Sequence, residues 1–242
     1  NFYRELNILL QLNHPSIVKL IGYSFNYSKN NRIPIIAYEY VSDETLASEK
    51  LNDTKKLINI YGIAAAMKYL HDHDIIHRDL KPENIILDQN QFPKITGFNI
   101  SKEIDKDNKE RSHQIKGTPA YIAPEIYSKH EYSKSSDVYS YSLIVYEIMS
   151  NKKPYEDEDI NTNDINELYS NHIKVGHRPT FLKPIPQAYK ELIERCWSEE
   201  PSQRPTFSEI VYTLKTNQDF ITETVDEEDF FEYVKFIDEF PI

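Results

Sequence analysis

His77-Arg78-Asp79-Leu80-Lys81-Pro82-Glu83-Asn84, followed by Ile85-Ile86-Leu87, is the stretch on which the reading of this chain turns. It places a carboxylate, an ammonium and a carboxamide at positions 79, 81 and 84 of one loop. Such a set can orient a hydroxyl, neutralise a phosphoryl oxygen and hold a metal ion, in that order. The apolar run behind it has strand composition, so the loop is expected to be anchored at its end.

The neighbouring segments carry further signals in a fixed order. Gly117-Thr118-Pro119-Ala120-Tyr121 and Ala123-Pro124-Glu125 follow the loop, then Ser135-Ser136-Asp137-Val138-Tyr139-Ser140, then Cys196-Trp197 with Pro201-Ser202-Gln203-Arg204-Pro205-Thr206-Phe207. The 77–84 stretch resembles the protein kinase catalytic loop, and these other segments resemble that family's activation-segment end, buried central helix and closing motif, as the tyrosine-kinase-like group writes them. The resemblance covers about residues 1–216. It implies an α+β kinase-like fold, mainly the helical large lobe with a partial small lobe. It also implies Asp79, Lys81 and Asn84 as catalytic residues, with Asn84 also a metal ligand, and ATP and magnesium as cofactors. Glu39, Val41 and Ile86 are the implied nucleotide contacts, with Tyr38 guarding the rear of their pocket. His77 is expected to pack in the core, Asp137 to fix the loop's backbone, and Glu125 to pair with Arg204. Lys81 and the Gly117-Thr118 writing imply serine/threonine specificity. Arg78 implies an activation segment that a phosphate can order, with Ser112 the nearest acceptor.

Three features depart from the family. The glycine-rich loop and the nucleotide-contacting lysine would precede Asn1, so the chain reads as a kinase domain cut at its front. Glu5, on an expected first helix, is then an exposed acid without its lysine. Lys94-Ile95-Thr96-Gly97-Phe98-Asn99 aligns with the metal-binding segment, but Gly97 stands where the family has aspartate. Phe98 keeps the packing position. Two functions are therefore implied: a serine/threonine protein kinase with impaired transfer, or a pseudokinase scaffold that binds signalling proteins.

Working outward, apolar periodicity gives helices over 1–13, 55–70, 137–150, 163–173, 187–197 and 206–216, with strands at 17–23 and 33–41 and a loop-rich stretch over 71–136. The divisions expected are 1–41 for the partial small lobe and hinge, 42–216 for the large lobe, and 217–242 for an acidic extension. That extension carries nine acids against Lys235 alone. Thr224 and Glu227 have capping-box spacing there, ahead of a stripe of Phe230, Val234 and Ile237 that suits a docking helix.

Composition excludes several classes. The 242 residues carry 28 basic and 39 acidic side chains for a net charge of −11, which argues against a nucleic-acid surface. The single cysteine forms no intramolecular disulfide and fits an intracellular, cytoplasmic location. No apolar run reaches the length of a membrane span. His71 and His73 are expected at a helix's negative end, not at a metal. A protein substrate or protein partner is implied, and no oligomeric state.

Overall fold

The computed structural model describes residues 2–25, 34–104, 109–112, 114–156 and 176–241. The helix expected at 163–173 lies outside them. The described chain is α+β, with long helices and short antiparallel strand pairs.

The centre of the molecule is built from two helices, α2 (Asp53–Asp72) and α4 (Lys134–Ser150). Both bury side chains around most of their circumference, the pattern of a helix enclosed by protein. Some of their polar side chains find partners inside the fold, while among the described residues the Tyr61 and Tyr139 hydroxyls find none. Asn59 donates to the carbonyls of Lys55 and Gln91, and the Tyr141 hydroxyl donates to Ile60 O across the helix pair. Helix α2 starts where Asn52 accepts from the Lys55 amide, and α4 starts where the Ser133 amide donates to Ser136 Oγ.

Helix α3 (Pro124–Lys129) precedes α4, and α5 (Gln187–Cys196) and α6 (Phe207–Thr216) follow it. Thr206 and Glu209 form the expected capping box at the start of α6, with the Glu209 amide donating to Thr206 Oγ1 at 3.2 Å and the Thr206 amide to Glu209 Oε2 at 2.7 Å. Helix α5 packs on α4, and α6 packs on α2. Phe207 fills the junction, edge-on to both His71 and Tyr141.

At the front of the chain, α1 (Phe2–Leu9) packs on the pair β1 (Leu20–Ser24) and β2 (Ile35–Tyr38), with Leu20 opposite Tyr38 and Ser24 opposite Ile35. The stretch 71–136, expected to be loop-rich, carries six of the eight short strands. They are β3 (Ile75–Ile76) with β6 (Lys102–Glu103), β4 (Ile85–Leu87) with β5 (Pro93–Ile95), and β7 (Lys109–Arg111) with β8 (Glu131–Ser133). Pairs of two or three residues leave almost no alternation to read in sequence, and tertiary packing supplies their stability. Together they hold 77–84 from both ends.

The acidic extension folds as α7 (Glu227–Asp238) and lies against α2. Phe230 meets Tyr61 edge-on at 5.7 Å, and Phe230, Tyr233, Val234 and Ile237 are buried. Its cap differs from the one the spacing predicts. Asp226 accepts from the Asp229 amide, while Thr224 donates its hydroxyl to Asp53 at the start of α2. An aspartate two residues nearer the apolar stripe is the better-placed acceptor, and Thr224 is drawn to the other helix. Gly62 makes the close approach possible. A Cβ there would lie 2.3 Å from the Tyr233 hydroxyl oxygen and 2.7 Å from Pro93 Cγ.

Among the described residues, no helix is long and apolar enough to cross a membrane.

Candidate active site

The loop 77–84 takes its shape from α4. The Asp137 carboxylate accepts the amides of His77 and Arg78, each at 2.9 Å, and approaches His71 Nε2 at 3.0 Å. Burial works against ionisation of Asp137, but the bond to His71 and the Arg78 amide hold its carboxyl below the usual range. His71 is therefore not simply a cation at a helix end. It sits buried, in contact with a carboxylate 66 residues on. His73 does cap α2, with its Nδ1 at 2.8 Å from Tyr69 O.

His77 is fully buried, stands edge-on to Phe98, and has Nε2 at 2.8 Å from Thr96 O. Its Nδ1 accepts the Asp79 amide, which places the proton on Nε2. Burial, opposed by Asp137, pulls its pKa below the ordinary histidine value. Arg78 adopts a positive φ of 71° and lays its guanidinium over the Tyr132 ring at 4.2 Å. Among the described residues, its buried Nε and Nη2 have no hydrogen-bond partner.

Asp79, Lys81 and Asn84 converge with Thr118. Thr118 donates to Asp79 Oδ1 at 2.8 Å, Asn84 Nδ2 donates to Asp79 Oδ2 at 3.1 Å and to its carbonyl at 2.7 Å, and Lys81 Nζ lies 3.9 Å from Oδ2. Gly97 adjoins this group with φ +86°, and a Cβ built on it would lie 2.6 Å from Asn84 Cγ. Phe98 is fully buried and opens a 3₁₀ turn, whose end is pinned by Ser101 Oγ donating to His77 O. Among the described residues, no three His, Cys, Asp or Glu side chains cluster as a metal site.

The remaining expected residues are distributed around this centre. Glu39 accepts the Lys94 ammonium at 2.8 Å and the Lys19 amide at 3.0 Å, so its side chain is engaged by β5 and by the residue before β1. Val41 and Ile86 are half-buried, and 44–46 runs along β4 through bonds to Ile85 and Leu87. Ser112 donates to Gln114 O, and no bond links it to Arg78 among the described residues. Glu125 and Arg204 meet through two bonds of 2.8 Å, and Arg204 also donates to Ser198 O and Ser135 O.

Glu5 is not the exposed acid expected. It is half-buried and accepts the Tyr38 hydroxyl at 2.5 Å, while Arg4 donates to Asn99 O at 2.9 Å. Burial and the Glu5 carboxylate together push the Tyr38 phenol above its ordinary range. Composition alone gave no sign of this pair, because it joins residues on separate elements.

Residues 1–214 match the family model for the protein kinase domain. The chain is 34% identical over 227 residues to serine/threonine-protein kinase 12 of Arabidopsis thaliana, covering 89% of this chain and 47% of that protein. It is 32% identical over 224 residues to the RGS domain-containing serine/threonine-protein kinase A of Dictyostelium discoideum, covering 89% and 18%. A leaf rust 10 disease-resistance locus receptor-like protein kinase-like 1.4 of Arabidopsis thaliana is 32% identical over 242 residues, covering 90% and 36%. The chain spans less than half the length of each of these relatives. With its loop held by Asp137 and residues 1–214 matching the family model, the chain belongs to the protein kinase domain family.

Proposed function

We propose that this chain is a serine/threonine-type kinase domain whose phosphoryl transfer is impaired, and that it acts as a scaffold binding signalling proteins. The observation that carries this reading is the packing of Gly97 against Asn84. Magnesium binds through carboxylates and substrate phosphates. Here the position that would supply the metal-binding carboxylate has no side chain, and the space in front of it holds the Asn84 carboxamide. That carboxamide spends its N–H groups on Asp79. The donor set does not fit a magnesium–nucleotide complex. Removal of one preorganised electrostatic stabiliser lowers a rate by about 10²–10³.

A second reading, a weak phosphotransferase, is favoured by one feature. Asp79 remains oriented by Thr118 beside Lys81, the arrangement that would receive a substrate hydroxyl. Arg78 supports a regulated origin, since its buried Nε and Nη2, unpartnered among the described residues, are donors that an activation-segment phosphate would satisfy.

The test is a thermal-shift titration with ATP, in Mg²⁺ and in EDTA, beside a self-phosphorylation assay. A ligand at a hundred times its dissociation constant stabilises the folded state by about 2.7 kcal/mol. The scaffold reading expects no Mg²⁺-dependent shift and no transfer, and a cellular output unchanged by Asp79→Asn. A Mg²⁺-dependent shift with self-phosphorylation that Asp79→Asn abolishes would overturn it.

A further inference from the structure

Beside Glu39, the described residues line an open cavity of about 430 Å³. Glu39 and three longer parts of the chain wall it: the segment 12–19 after α1, the β4–β5 turn with the start of β5, and, as the third wall, α7 with the residues after it. The third wall lies outside residues 1–214 that match the family model. Its volume falls in the range of small-molecule sites, which join apolar walls to a few placed polar groups.

The chemistry of the lining narrows the ligand. Ile17, Val18, Phe92, Tyr233, Phe236 and Phe240 supply an apolar, largely aromatic wall. The charged lining is balanced, with Lys19 and Lys94 against Glu39 and Asp88, and Lys94 is already paired with Glu39 at 2.8 Å. An ionic ligand would gain little from such a lining. His14 is the exception among the polar groups. It is only 8% exposed, and its Nδ1 is occupied as acceptor of the Ser16 amide. The proton of the neutral ring therefore lies on Nε2, which has no hydrogen-bond partner among the described residues. An N–H left to water in this way is a point where a ligand acceptor can bond directly, replacing the water.

From the cavity's walls and the unpartnered His14 N–H, we infer that this is a binding site for a small, uncharged aromatic compound carrying a hydrogen-bond acceptor. The ring system lies against Phe92, Tyr233 and Phe236, and the acceptor meets His14 Nε2–H. The site shares Glu39 with the hinge, so an occupied cavity fixes the back of the segment whose front faces the nucleotide position in this family.

The test uses 2-naphthamide as probe, titrated into the full chain and followed by saturation-transfer NMR and thermal shift. Saturable binding is expected, undiminished by excess ATP. Phe236→Glu, at an exposed position on the cavity rim, should weaken binding at least tenfold with an unchanged unfolding transition. His14→Leu should also weaken it about tenfold. His14→Gln, which keeps an N–H donor, should recover most of the loss, an effect that a purely structural role of His14 would not produce. No saturable binding by a cooperatively folding chain would overturn the inference. So would binding that ATP displaces, or that Phe236→Glu leaves unchanged.

Discussion

Tyr38 donates its hydroxyl to Glu5 at 2.5 Å, joining β2 to α1 through a phenol and a carboxylate. The bond gives the Glu5 carboxylate a partner without any lysine, and Arg4 extends the attachment to the turn at Asn99. Tyr38→Phe removes the donor and leaves a half-buried carboxylate unsatisfied. Urea denaturation should show a loss of about 1–2 kcal/mol, and Glu5→Gln, which retains an acceptor, a smaller one. Equal losses from both variants would mean that packing, not the bond, holds α1.

Gly97 is in the left-handed region with φ +86°, where an ordinary side chain costs about 1–2 kcal/mol, and its missing Cβ is replaced by the Asn84 carboxamide. Gly97→Ala should destabilise the chain by at least that amount. Gly97→Asp should lose less, because aspartate tolerates this backbone better. In millimolar Mg²⁺ with ATP, the aspartate variant alone should regain stability as Asn84 moves aside. Thermal melts of both variants in Mg²⁺ and in EDTA measure this directly, and a Mg²⁺ response from the alanine variant would contradict it.

Gly62 inverts the usual rule for helices. Alanine is the better helix former by about 1 kcal/mol. Its Cβ would meet the Tyr233 hydroxyl at 2.3 Å, and such overpacking costs about 1–3 kcal/mol. Gly62→Ala should therefore give no net gain in stability and should loosen α7. Faster cleavage between α6 and α7 in limited proteolysis is the expected readout.

His14 links stability to pH. Burial first, then the charges of Lys94 and Lys68, bring its pKa down to about 4 from an ordinary 6.5. Folding thus favours the neutral ring. Its contribution is complete above pH 6.5 and is lost as pH falls towards 4, about 2 kcal/mol of it by pH 5. His77, also shifted downward, acts in the same direction. Denaturation between pH 7 and 5 should show a steeper decline for the original chain than for His14→Gln. Parallel curves would assign the acid sensitivity elsewhere.

What the sequence made legible was local. The 77–84 loop, the 123–125 segment and the Thr206–Glu209 cap each read from neighbouring residues, and the long buried helices read from runs of apolar side chains. The contacts that organise the site were not legible, because they join residues far apart in the chain. His71 reaches Asp137 across 66 positions, and Glu5 reaches Tyr38 across 33. The six short strands of the central stretch were missed because pairs of two or three residues carry no periodicity. The cap of α7 was misplaced for a different reason. Thr224 and Asp226 both have suitable side chains, and only the position of Asp53 decides between them.

Helix α7 has a practical consequence for where this protein ends as a folding unit. The family model stops at residue 214, but Tyr61 and the groove at Gly62 are covered by side chains from beyond it. A chain cut after residue 214 would present that aromatic surface of α2 to water and would leave Ser16 without the Tyr233 hydroxyl that it meets at 2.9 Å. Exposed patches of this kind promote self-association. An expression experiment on this domain should therefore retain α7, which lies past the border drawn by homology.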